Sequence, residues 1–256
     1  MTAARMQLFR SVLLCACLAG SCTSESEPPT RTLDPVPELR VNQTSTPPRI
    51  DGVLGDRVWD EASGTGSFVE TRRGGKAELQ AAAKLLWDRH HLYVAVDVRD
   101  TLLRASDRER DSHLWEQDCV ELMIDPGGDG TNYFEIQVSP RGVVFDTRYD
   151  RRRWPQPYGR VEWDARVRAA VDLRGTLDDD APDAGYSVEI AIPWHAFSLE
   201  GARMGPPAVG DHWRMNVYAI DLMRRRQRAA AWSALGIGDF HVPGRFGILR
   251  FEGEAE

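Results

Sequence analysis

The segment LWEQDCVELMIDP (Leu114–Pro126) reads as an extended chain. In a strand, Val120, Leu122 and Ile124 face one way, and Cys119, Glu121 and Met123 face the other. The same period of two recurs on both sides of it. HLYVAVDV sets Leu92, Val94, Val96 and Val98 on one face. YFEIQVS does so with Phe134, Ile136 and Val138, and ARVRAAVDL with Val167, Ala169 and Val171. YSVEIAIP aligns Val188, Ile190 and Ile192. WRMNVYAID alternates Trp213, Met215, Val217 and Ala219 with Arg214, Asn216, Tyr218 and Ile220. RFGILRF closes the series with Phe246, Ile248 and Phe251. Clusters of Gly, Pro and Asp separate these runs and mark turns. Helical signals are confined to Asp56–Ala62 and Pro193–Phe197, a turn or two each. The expected fold is all-β, about ten strands in two antiparallel sheets packed face to face, with one or two short helices.

Around this pattern, 256 residues with 42% hydrophobic and 28% charged side chains make an ordinary globular composition with ample core. The net charge of −7 argues against a nucleic-acid binder. Arg5 and Arg10 precede a short apolar run, Ser11–Ala19, followed by Gly20, Ser21 and Cys22, the pattern of an export leader. The run is too short to span a bilayer. LAGSC resembles a bacterial lipobox, which predicts cleavage after residue 21 and lipid on Cys22. Loss of Arg5 and Arg10 takes the charge from −7 to −9. The expected organisation is a signal peptide over 1–21, a lipidated cysteine and Pro- and Ser-rich tether over 22–37, one domain over 38–252, and an acidic tail over 253–256. The expected place is a membrane, the outer one in a Gram-negative host because Thr23 rather than Asp follows the cysteine. Cys119 then has no partner within the chain, so neither a disulfide framework nor a CxxC zinc site arises. HExxH, GxSxG, P-loop and GxGxxG patterns are absent.

Five segments in order carry a resemblance. They are IDGVLGDRVWDEA (Ile50–Ala62), LLWDRHHLYVAVDVRD (Leu85–Asp100), LWEQDCVELMIDP, GYSVEIAIPW (Gly185–Trp194), and WRMNVYAID with the following AWS and HVPGRFGILRF. Over roughly residues 40–252 the chain resembles a family 9 carbohydrate-binding module, a DOMON-like, jelly-roll β-sandwich. The resemblance implies a non-catalytic, calcium-stabilised domain that clamps sugar between two tryptophans. Carried over residue by residue, the tryptophans are Trp115 and Trp232, and the polar ligands are Glu121 and Asn216. Where sugar-binding members place an arginine, this chain has Glu135; Arg141 lies near that point without being equivalent.

The residues themselves agree with a sugar clamp. Pyranose C–H faces pack on indoles, and a carboxylate accepts two hydroxyl protons at once. A charge such as Glu121 in mid-strand among apolar neighbours needs partners or a cleft. Trp154 follows Arg151, Arg152 and Arg153 in a Pro-bounded loop, an aromatic–basic mixture that suits sugars or acidic glycans. Arg224, Arg225, Arg226 and Arg228 form a second basic run. Candidate calcium oxygens are Asp125 and Asp129 in DPGGDGTN, and Asp51 and Asp56 in the N-terminal motif; Asx turns would account for either pair. A monomer with a carbohydrate ligand is expected, with no organic cofactor. Two other readings stay open. One is a carbohydrate-active hydrolase using loop carboxylates, although Asp118 and Glu121, three apart on a strand, point to opposite faces. The other is a haem-binding DOMON relative using Met123 or Met215.

Overall fold

In the computed structural model the alternating runs are strands, and several of them, Cys119–Asp125 and Gly185–Pro193 among them, are buried on both faces. Residues 33–199, 204–224 and 226–254 are described. The expected leader, Cys22, most of the expected tether, and Arg225 lie outside them. The strands are β1 (Glu38–Gln43), β2 (Ser63–Ser67), β3 (Val69–Glu70), β4 (Gln80–Trp87), β5 (His91–Arg99), β6 (Cys119–Asp125), β7 (Thr131–Val138), β8 (Val144–Arg151), β9 (Arg168–Arg174), β10 (Gly185–Pro193), β11 (His212–Met223), β12 (Arg226–Ala231) and β13 (Gly247–Glu254). The two expected helices are single 3-10 turns, Arg57–Asp60 and Trp194–Phe197, and two further turns cover Leu114–Glu116 and Pro243–Arg245. Chain ends of the domain differ from expectation. The Pro37 carbonyl accepts the Ile248 backbone N–H, and the Asp34 carbonyl accepts the Arg245 guanidinium, so residues 34–37 belong to the body rather than to a tether. The first two residues of the expected acidic tail are the end of β13.

Hydrogen bonding runs in the order β8-β7-β6-β11-β13-β1-β4-β5-β10-β9. One half of the sandwich is β8-β7-β6-β11-β13 and the other is β4-β5-β10-β9. The hinge between them is β1, and here the expectation of purely antiparallel pairing fails. β1 runs parallel to β13 from Glu38 to Val41, shifts register, and then runs parallel to β4 at Asn42 and Gln43. A strand that changes sheets at an irregularity is the usual way to turn the corner of a sandwich.

The inner faces of both halves meet in one apolar cluster. Leu122, Ile124, Phe134, Ile136, Met215 and Val217 from one half pack with Leu92, Val94, Val96, Val188, Ile190 and Ile192 from the other. The outer face of the first half is not left to solvent. Met123, Tyr133, Tyr149, Tyr218 and Phe246 form a second buried cluster there, and Leu114, Cys119, Phe145 and Ile220 a third. Loops over 104–118, 152–166 and 232–246 cover that face. The functional side chains sit under them.

Candidate functional site

The floor of the site is built from two neighbouring strands. Glu121 on β6 stands directly opposite Gln137 on β7, and Glu135 lies two residues back along β7 on the same face. The Gln137 side-chain amide donates to Glu121 Oε2 at 2.9 Å and to Glu135 Oε1 at 2.6 Å. Both of its N–H groups are thereby used. Glu121 Oε1, Glu135 Oε2 and Gln137 Oε1 are buried and accept no hydrogen bond. Burial, with the charge of Glu135 next to it, pushes the Glu121 carboxyl well above the ordinary range. Burial raises Glu135 as well, and the Tyr149 hydroxyl, Gln137 and Arg153 pull it partly back.

His241 closes one side. Its Nδ1 meets the Tyr133 hydroxyl at 2.8 Å, and that hydroxyl accepts from the Arg153 backbone N–H at 3.0 Å. The tyrosine proton is therefore free to go to Nδ1. His241 Nε2 lies 3.9 Å from Glu135 Oε2. Burial depresses His241 to about 3, so the ring is neutral and this contact is no ion pair.

The walls are aromatic. Trp115, half-buried, sits 5.2 Å from Tyr158 between ring centroids, and stacks on His113 at 4.4 Å. Its backbone oxygen accepts from Gln227 of β12. Phe240 lies flat on Tyr218 at 4.4 Å, with an interplanar angle of 2°. Arg153 completes the rim. Its φ of +52° is held by the backbone bond to Tyr133, and its Nε and Nη2 both donate to Asp239 Oδ1. The open cavity measures about 260 Å³ and is lined by Trp115, Glu121, Glu135, Gln137, Tyr149 and Tyr158 among others. Ligand pockets generally start near about 300 Å³, so this is a small site.

A second polar cluster lies elsewhere in the sandwich. One carboxylate oxygen from each of Asp100, Asp118 and Asp221 falls within 4.8 Å of the others, and all three residues are buried. Asp100 Oδ2 and Asp221 Oδ1 accept nothing, and the buried Tyr186 hydroxyl also has no partner. The charges of these three aspartates reach Tyr186 and raise it beyond what burial does. Burial lifts Asp118 to about 8 and Asp100 to about 6. Arg228 Nε donates to Asp221 Oδ2 at 2.7 Å and offsets part of the charge. Oxygen-only donors with unused lone pairs are what a hard divalent cation such as calcium takes, so the residues fit that ion.

The sequence profile described as carbohydrate family 9 binding domain-like matches residues 50–254. The chain belongs to that family. Among curated relatives, endo-1,4-beta-xylanase A of Thermotoga neapolitana is 31% identical over 209 residues, 79% of this chain and 17% of that protein. Endo-1,4-beta-xylanase C of Paenibacillus barcinonensis is 37% identical over 181 residues, 67% of this chain and 14% of that protein. The chain therefore spans between about a ninth and a sixth of the curated relatives it matches. Among solved structures, a putative carbohydrate-binding protein from Bacteroides uniformis superposes with TM-score 0.68 at 18% identity, covering 85% of this chain and 100% of that one. A family 9 carbohydrate-binding module from Caldicellulosiruptor kristjanssonii, in complex with cellotriose, gives 0.58 at 21% identity over 86% of this chain and 95% of that one.

Within this family 9 domain, the residues singled out in the sequence do not all converge. Trp115 and Glu121 do, on one cavity. Trp232 does not. Its indole is in the inner core, against Gly247, where a Cβ would lie 2.5 Å from the ring. Strand alternation explains this: Trp232 continues β12 next to Val217, whose side chain also faces inward. The second aromatic walls are Tyr158 and Phe240 instead. Asn216 shares the face of Glu121, but its amide is closed on the backbone of Ser233, donating to the carbonyl and accepting from the N–H. Arg141 is held by the Ala105 carbonyl and Asp178, away from the cavity lining. Trp154 is 46% exposed under Arg151 and outside the cavity, although Arg153, Pro157 and Tyr158 of its loop line it.

The four expected metal aspartates are occupied by turn chemistry. Asp51 accepts from Val53 and Arg49, and Asp56 from the Arg49 backbone. Asp125 accepts from Gly128 and Gly130, and Asp129 from Thr131. Met215 faces the inner core and Met123 the outer cluster. Glu135, Gln137, Tyr149, Tyr158, Phe240 and His241 were not singled out as ligands in the sequence. For Gln137 the signal was present: in YFEIQVS it shares with Glu135 the face opposite Phe134 and Ile136.

Proposed function

We propose that this family 9 domain binds a carbohydrate without cleaving it, in the cavity between Trp115, Tyr158 and Phe240. The observation that carries the reading is a floor of unpartnered buried oxygens beneath aromatic walls. A sugar ring supplies what each part lacks: C–H faces for the rings and hydroxyl protons for the oxygens. The Caldicellulosiruptor modules bound to cellotriose and to glucose support the same ligand class. The test is calorimetric titration of the purified chain with β-glucan and xylan oligosaccharides. Trp115→Ala should weaken binding about ten- to a hundredfold, by analogy with aromatic stacking on bases. Its melting temperature should change little, because Trp115 is half-exposed at the rim. No binding by the wild type to any glycan would end the proposal.

We also propose calcium at Asp100, Asp118 and Asp221, with Tyr186 beside them, as a structural ion. When bound, it would supply the positive charge that three buried carboxylates lack. Export and lipid attachment at Cys22 are proposed from the leader pattern alone. A multiply acylated cysteine anchors stably where one chain does not. Cys22→Ser should release the protein from the membrane fraction; retention there would refute the anchor.

A further inference from the structure

The floor of the cavity differs from a generic sugar site in one respect: its unmet need is almost wholly for hydrogen-bond donors. Among the described residues three oxygens of this floor stand open, Glu121 Oε1, Glu135 Oε2 and Gln137 Oε1, and all are acceptors once the two carboxyls are ionised, which a cation seated against them favours. The Gln137 amide protons are already spent on the two carboxylates. The nearest other donors, His241 Nε2–H and the Tyr149 hydroxyl, both address Glu135 and leave its Oε2 without a hydrogen bond. A neutral hydroxyl brings one proton and lone pairs that want donors of their own. An ammonium brings three protons and no lone pair, which matches three acceptors one for one.

Charge points the same way. Glu121 and Glu135 are negative when ionised. Among the described residues the one arginine or lysine in the lining, Arg153, is turned onto Asp239, which it shares with Arg152, and His241 is neutral. The aromatic walls add to this, since the faces of tryptophan, tyrosine and phenylalanine attract cations. Resting on the carbohydrate reading, we propose that the cavity selects an amino sugar, whose protonated 2-amino group sits on Glu121, Glu135 and Gln137. Glu135, standing where sugar-binding relatives are expected to carry arginine, makes the floor acceptor-rich.

Three β-1,4-linked tetramers that differ only at carbon 2 separate the possibilities: glucosamine, N-acetylglucosamine and glucose. Calorimetry with the purified full chain should give at least about tenfold tighter binding of the glucosamine tetramer than of either other, and 1.4 kcal/mol corresponds to that factor. The preference should persist in 1 M salt, where the screening length is only about 3 Å and attraction to distant surface acids is lost. Glu135→Gln and Glu121→Gln, which keep shape and remove charge, should each bring the glucosamine and glucose tetramers close to equal affinity. If the glucose tetramer binds as well as the glucosamine tetramer, the amine proposal falls and the carbohydrate reading stands. If none of the three binds, both fall. A glucosamine preference that disappears in high salt, or that both variants retain, assigns it to surface charge and overturns the proposal without needing either variant to be more than folded.

Discussion

Glu121 and Glu135 hold two carboxyls in a protein interior with one amide between them. Each therefore ionises against burial and against the other. A raised carboxyl pKa in the folded state means that the native chain binds more protons than the unfolded one between the two values. Stability from this pair is thus full below the ordinary glutamate value of 4.5, and is lost as pH rises to about 7 at Glu135 and beyond. Tyr149 from β8, Tyr133 on β7, Tyr218 on β11, Cys119, His241, Arg153 and Asp239 face the same spot, and are unchanged in a substituted chain. Glu135→Gln should therefore match the wild type near pH 5 and exceed it near pH 8, by at least about 1 kcal/mol in urea unfolding, since a tenfold change in proton affinity between the folded and unfolded chains corresponds to about 1.4 kcal/mol. A variant less stable than wild type at both pH values would show that the charge is satisfied in the native fold. At this scale the sequence was partly informative. Trp115 and Glu121 stood out because a charge in an apolar strand and an aromatic at its entrance break a pattern. Tyr158, Phe240 and His241 lie in loops without period, where nothing in the chain order says which rings will meet.

Strands were readable because period two needs only local order: expected inner faces such as Val94–Val96–Val98 and Val188–Ile190–Ile192 are buried in the core. Ala169 and Val171 on edge strand β9, and Val167 just before it, are half-buried instead, and Phe246 faces the outer cluster while Phe251 faces the core. Pairing direction was not readable, because parallel and antiparallel neighbours present the same alternation. β1 takes its two parallel partners from chain segments distant in sequence, and only the assembled sandwich supplies them. The same limit misplaced Trp232: the AWS motif was visible, but its face depends on register with β11. As a core side chain, Trp232→Ala should destabilise by about 3–5 kcal/mol and leave the affinity of the folded fraction for sugar unchanged. Equal stability with lost binding would return Trp232 to the clamp. Close backbone approach between β5 and β10 gives a second check at this scale. A Cβ on Gly185, whose φ is +115°, would lie 1.9 Å from the Val98 carbonyl oxygen. Gly185→Ala should lower the unfolding free energy by about 1–3 kcal/mol or more, because the strands must part to admit it. An unchanged denaturation midpoint would mean that β10 is not seated there.

Across the whole molecule, the aspartate cluster joins what the topology separates. Asp100 follows β5 and Tyr186 lies on β10, in one half of the sandwich; Asp118 precedes β6 and Asp221 lies on β11, in the other. Carboxylates from distant chain segments come within 4.8 Å of one another only when the halves are closed on each other. A cation held there would bind the native state and not the unfolded chain, so it would stabilise the fold by mass action. At a hundredfold excess over the dissociation constant that is about 2.7 kcal/mol. A domain of this size moves by about 2–4 °C per kcal/mol, so calcium should raise the melting temperature by roughly 5–10 °C over chelated protein. Asp118→Asn should abolish the difference, because it removes one of the three carboxylates. Its amide oxygen can keep only one of the two backbone bonds that Asp118 accepts, from Arg104 on Oδ2 and from Leu222 on Oδ1, so the calcium-minus-chelator difference is the readout rather than the absolute melting temperature. Asp125→Asn and Asp56→Asn should keep it, since those side chains cap turns. Identical melting with calcium and with chelator would leave three buried acids to be explained by protonation instead. A calcium effect lost in Asp125→Asn and retained in Asp118→Asn would move the ion to the turn after β6.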